Sequence, residues 1–178
     1  MKPLQSAAMG LVIVAVAARV NGYDLVPDPL GWLLVLYGVG RLPGLPWGGA
    51  VRFLCWLALA TSVVVWFPSV ADSLADADVS LEWAASLPQI AAVGTLCAAL
   101  VRVAEEHADR PARSWLRTAS TLAVLTGVVP VVVLAAHPAA VGAVIALGLV
   151  TIVLVIVLLF RYAGRPWAAP QLDQTTTR

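Results

Sequence analysis

The chain has 178 residues, 61% hydrophobic and 12% charged, with a mean hydropathy of +0.90 and a net charge of +1. Soluble domains carry about 25% charged residues, and water tolerates no such apolar excess, whereas a bilayer needs none of it hidden. A charge this close to neutral also excludes the basic footprint of a nucleic-acid binder.

A helix crosses the ~30 Å hydrocarbon core in about 20 residues. The stretches between charges therefore predict an all-α integral membrane bundle of about six transmembrane helices, over 3–20, 29–42, 51–71, 83–103, 115–136 and 139–163. Residues 1–163 form a single transmembrane domain, and the polar GRPWAAPQLDQTTTR from 164 to 178 is expected to be a disordered cytoplasmic tail. The first helix is short between Lys2 and Arg19, and Ala15-Val16-Ala17 has the A-x-A form of a signal-peptide cleavage site. No polar mature domain follows it, which favours a retained helix; cleavage would leave five helices in the same orientation. The second segment has 14 residues and reaches about 21 Å, short for an untilted crossing unless the bilayer thins or arginines snorkel. Pro130 predicts a kink in the fifth helix, and His137-Pro138 marks the turn into the sixth.

Arginines set the orientation. The 72–82 loop holds four acids and no base, and the 136–139 turn holds no base either, whereas Arg41/Arg52, Arg102/Arg110/Arg113/Arg117 and Arg161/Arg165/Arg178 flank the alternate connections and the tail. Both termini are therefore expected in the cytoplasm, with 21–29, 72–82 and 136–139 outside. Trp66, Phe67 and Trp83 on one side, and Phe53, Trp56, Trp115, Phe160, Tyr162 and Trp167 on the other, suit the two interfaces.

The spans offer little chemistry. Helices three to six have no ionisable residue in their interiors, only the hydroxyls of Thr61, Ser62, Thr95, Ser120, Thr121, Thr126 and Thr151, which can bond their own helix backbone. Gly94-x-x-x-Ala98 and the Gly142/Gly148 pair fit close helix packing. Cys55 and Cys97 read as packing residues, without a C-x-x-C. His107 and His137 fall at opposite ends of a bilayer crossing and cannot share a haem; His107 belongs to a charged segment in which Glu106 and Arg110 have i,i+4 spacing. The acids Asp72, Asp76, Asp78 and Glu82 lack the spacing of a calcium loop and read as a solvated loop. Three arginines over 110–117 beside Trp115 suit anionic lipid headgroups. No P-loop, G-x-S-x-G or H-E-x-x-H occurs, so neither an enzyme nor a resident cofactor or metal is expected.

The informative stretch is 19–42, RVNGYDLVPDPLGWLLVLYGVGRL. Arg19 is a positive charge at an external helix end, with Asp24 and Asp28 near enough to pair with it. Asn21-Gly22 has helix C-cap chemistry and Asp28-Pro29 the chemistry of a helix start, which together make a tight external hairpin. The alternative is a connection that dips below the surface, so that Asp24 or Asp28 lines a polar cavity, as interrupted segments do in transporters. Arg19, Asp24 and Asp28 are thus the candidate polar site.

The same residues carry a resemblance. Asp24-Leu25-Val26-Pro27-Asp28-Pro29-Leu30-Gly31-Trp32-Leu33-Leu34, with Gly38 following, resembles a D-L-x-P-D-x-x-G-[WY]-x-L signature of uncharacterised small multi-pass membrane proteins of bacteria. The likeness covers roughly 19–42. It implies a bacterial cytoplasmic membrane, in keeping with an Arg-, Ala- and Val-rich composition, and implies no substrate. The function expected is an accessory or structural component of a membrane complex, in contact with the lipid bilayer and with other membrane proteins or a second copy of itself. The alternative is a small oligomeric transporter or channel built on the 19–28 site.

Overall fold

Four runs are long and apolar enough to cross a membrane as helices: Gly48–Val65, Trp83–Glu106, Arg110–Val133 and Val141–Tyr162. In the computed structural model, which describes residues 1–16, 19–20, 23–24, 28–67, 70, 79–136 and 140–169, they belong to helices α3 (Gly48–Val65), α4 (Val79–Glu106), α5 (Arg110–Ala136) and α6 (Val141–Tyr162). Two shorter helices precede them, α1 (Pro3–Ala15) and α2 (Asp28–Gly40), of 13 residues each, or about 20 Å. α4 and α5 run on through Pro88 and Pro130.

The first helix ends earlier than its apolar pattern predicts. α1 stops at Ala15 because Arg19–Val20 and Tyr23–Asp24 pair as an antiparallel ladder (β1, β2), which meets backbone hydrogen-bond demand across two strands instead of along a helix. The expected C-cap at Asn21-Gly22 lies outside the described residues, but the helix has already ended before it. N-G between paired positions 20 and 23 is also the dipeptide that two-residue hairpins favour. α2 opens at Asp28, one residue before the expected 29, and ends at Gly40, two residues short of the expected 42. His137-Pro138 and the acidic run 71–78 lie outside the described residues.

Each helix packs on its neighbour in the chain, and α6 returns to pack on α1, so the six described helices close a ring in chain order. Neighbours run antiparallel: Ser120 Oγ of α5 donates to the Gly94 carbonyl of α4 at 3.2 Å, and Trp83 Nε1 donates to the Gly127 carbonyl at 3.1 Å. Lys2 accordingly lies beside Gly164, at the same end of the ring.

The packing differs around the ring. α1 and α2 touch backbone to backbone: a methyl on Gly31 would stand 2.6 Å from the Gly10 carbonyl oxygen, and one on Gly38 2.5 Å from that of Pro3. Ser6 Oγ adds a bond to the Leu34 carbonyl at 3.2 Å. Between α4 and α5 the approach is looser: a methyl on Gly94 would stand 3.3 Å from the Ala123 Cβ, crowded but clear of any backbone atom. Gly142, expected to pack closely, has no neighbour within 4 Å of where its Cβ would stand among the described residues. Cys55 and Cys97 are buried and unpaired, in keeping with packing roles.

The first residues of the expected tail are folded. Arg165 to Ala169 turns back on the bundle around a short 3₁₀ helix, Pro166–Ala168, with Trp167 and Ala168 buried. Asp109 holds it there: its carboxylate pairs with Arg165 Nε at 3.3 Å and accepts from Trp167 Nε1 at 3.3 Å, while its other oxygen caps α5 through the Ala112 amide at 3.2 Å. Proline and tryptophan in a polar segment here form a docked strap over 164–169; residues 170–178 lie outside the described part.

Candidate functional site

The 19–28 region comes first, as the sequence singles it out. The β1–β2 register places Arg19 directly opposite Asp24, with Val20 opposite Tyr23. Asp28 is half-buried at the start of α2, one turn before Trp32. Two of the three candidate residues are thus held in register by the backbone, and the third opens the next helix.

Inside the ring, next to the ends of α1 and α2 that this connection joins, lies a cavity of about 220 Å³. Leu11 and Val14 of α1, Trp32 of α2, Gln89 of α4, Thr126 of α5 and Thr151 of α6 line it among other residues. Thr126 and Thr151 Oγ1 lie 3.1 Å apart across α5 and α6, and each is also within hydrogen-bond reach of a carbonyl of its own helix, Leu122 at 2.9 Å and Leu147 at 2.8 Å; with one proton apiece, one hydroxyl donates to the other, which donates to its own backbone. Gln89 Nε2 reaches Ser62 Oγ of α3 at 3.5 Å. Trp32 is 1% exposed, and among the described residues its indole N–H is the buried side-chain donor left without an acceptor. Leaving such a group dry costs about 1–3 kcal/mol.

No protein family, no curated protein and no solved structure matches this chain. Its site is therefore read from its own chemistry. Gln89, Thr126, Thr151 and Trp32 carry the cavity's side-chain nitrogen and oxygen atoms, and none of them is charged at neutral pH. Such a cavity can hold a small, mainly apolar molecule that offers an acceptor; apolar cavities of about 150 Å³ already take a benzene-sized guest.

Charge is gathered elsewhere. In the four long spans the charged residues are Arg52, Arg102, Glu105, Glu106, Arg110, Arg113, Arg117 and Arg161, all near one end of the ring. There Glu105 joins α4 to α5, pairing with Arg113 Nε at 3.0 Å, Arg102 at 3.5 Å and Arg117 at 3.6 Å. The expected Glu106–Arg110 pair does not form among the described residues. Ala108, in the left-handed region at φ 53°, ends α4 before position 110 and destroys the i,i+4 register. Arg102 also lies 5.9 Å from the centre of the Trp47 ring.

The sequence singles out 19–28, none of whose residues lines the cavity among the described ones, and misses Trp32 and Gln89 as cavity residues. Gln89 had a signal, as an amide inside an otherwise apolar span. Trp32 had one only as part of the motif.

Proposed function

We propose that the chain is a six-span protein of the bacterial cytoplasmic membrane, with both termini cytoplasmic, serving as an accessory component of a larger membrane complex. One observation carries this reading: the charged residues of the four long spans all lie near one end of the ring, and the side chains around the cavity are uncharged. A proton or ion relay needs ionisable groups at membrane depth, so a structural role in lateral contact with other membrane proteins fits better. The arginine-rich end faces the cytoplasm by the positive-inside rule. α1 and α2 cross as the short third pair of the ring, closing the gap between α6 and α3, with the 16–27 connection at the outer interface.

Native purification in mild detergent, with mass spectrometry of whatever co-purifies at fixed stoichiometry, tests the reading. A defined partner protein supports it. A homogeneous self-assembly with no partner overturns it.

The second reading is a small oligomeric transporter, favoured by the cavity and the unpaired Trp32 N–H beside the 19–28 connection. Here an Asp24→Asn/Asp28→Asn variant that inserts and folds normally loses transport, whereas the accessory protein keeps its partner. A single cysteine at position 24, with Cys55 and Cys97 replaced, decides the depth of the connection: rapid labelling by an impermeant thiol reagent from outside the cell rules out a re-entrant loop.

A further inference from the structure

The α4–α5 hairpin carries two hollows that meet. At the arginine-rich end, a pocket of about 230 Å³ is bounded by Trp47, Arg102, Glu105 and Arg117, with Ala98 and Ser120 at its inner margin. Ala98 and Ser120 also line a longer groove of about 630 Å³ that runs between α4 and α5 as far as Trp83. Small side chains floor that groove, Gly94, Ala123 and Gly127, and Val124 and Val128 on its rim are exposed. From Ala98 to Trp83 the helix rises about 22 Å, more than the ~15 Å depth of one leaflet's hydrocarbon.

The polar end is cationic. Three guanidinium groups surround one carboxylate, leaving a net of two positive charges. The Arg102 and Arg117 side chains are 60% and 62% exposed while Glu105 is 26% exposed, so donors not used on the carboxylate are free to face outward. Guanidinium is the side chain best matched to a phosphate, and the Trp47 ring beside Arg102 suits the headgroup layer. We infer that this hairpin binds one anionic phospholipid, its phosphate against Arg102 and Arg117 and an acyl chain along the α4–α5 groove. A free phosphate would use the arginines alone. The apolar groove continuous with them selects the lipid.

The inference rests on α4 and α5 spanning a membrane. The test uses the full chain reconstituted into nanodiscs of phosphatidylcholine containing a minor share of phosphatidylglycerol, followed by delipidation and native mass spectrometry of retained lipid. About one phosphatidylglycerol per chain is expected to be retained in preference to phosphatidylcholine. Arg102→Gln/Arg117→Gln lowers that retention about tenfold or more, and sn-glycerol phosphate does not compete. Gly127→Leu, at a position where an added Cβ meets only ordinary contacts, fills the groove and lowers retention with the arginines intact. If the double variant misfolds, Arg102→Lys, which keeps the charge and loses the planar fork, is expected to weaken selectivity. Equal retention of the two lipids, unchanged selectivity in the arginine variants, or full competition by glycerol phosphate overturns the proposal. Failure to enter nanodiscs of either composition would instead refute the membrane reading itself.

Discussion

The α1–α2 and α4–α5 hairpins solve the same problem, an antiparallel pair of apolar helices, by different means. In the first, glycines let two backbones meet with no side chain between them, and the joining segment departs from helix into a short ladder. In the second, the helices stand further apart and are joined by side-chain bonds: Ser120 and Trp83 to carbonyls along their length, Glu105 to arginines at the base. Where apolar burial is no driving force, helix association depends on close contact and on interhelical hydrogen bonds, and this ring uses one device on each side. The first tolerates no added atom. The second leaves grooves.

The largest effect expected from that contrast comes from adding a single methyl. Gly31→Ala in α2 drives a carbon into the Gly10 carbonyl and is expected to cost about 3 kcal/mol, seen as a large fall in melting temperature in detergent. Gly94→Ala in α4, which meets a methyl at 3.3 Å, changes stability by less than about 1 kcal/mol, since better helix propensity offsets the crowding. Equal losses at the two sites would show that the hairpins are packed alike. Asp109→Ala comes next: it removes a helix cap, an ion pair and the Trp167 acceptor together. The expected loss is about 1–2 kcal/mol, with faster hydrogen exchange at the Arg165 and Ala168 amides, which are bonded in the strap. The smallest change is Glu105→Gln. Its arginine partners are about half exposed or more, so the stability cost stays under about 1 kcal/mol. Retention of phosphatidylglycerol should rise, because the arginines lose a competing anion.

The four long spans were legible because charges and prolines bracket them, and the arginine bias marks one end of the ring. Other features were not legible, for physical reasons. A helix bathed in lipid is apolar on its outer and inner faces alike, so periodicity does not show which face packs; Gly10, Gly31 and Gly38 looked no different from Gly142, where an added methyl would meet no described residue. Asn21-Gly22 suits either a helix end or a hairpin, and only the pairing of 19 with 24 separates them. Glu105 and Asp109 gather partners from across the α4–α5 turn and from the strap, contacts that i,i+4 spacing does not describe. In the candidate site, the nearness of Arg19 to Asp24 was readable from the sequence but their cross-strand register was not, and the cavity that Trp32 and Gln89 share needed five helices in place.

Closure of the ring through α6 and α1 has a consequence for synthesis. Five of the six seams join helices that leave the ribosome in succession, and each such pair can form as soon as its second member is made. The sixth joins the first helix to the last, across the longest separation the described fold contains, so α1 waits for one of its two walls until nearly everything else is in place. During that interval the glycine contact with α2 is the only seam that holds α1, which makes the tightest joint in the molecule the one needed earliest.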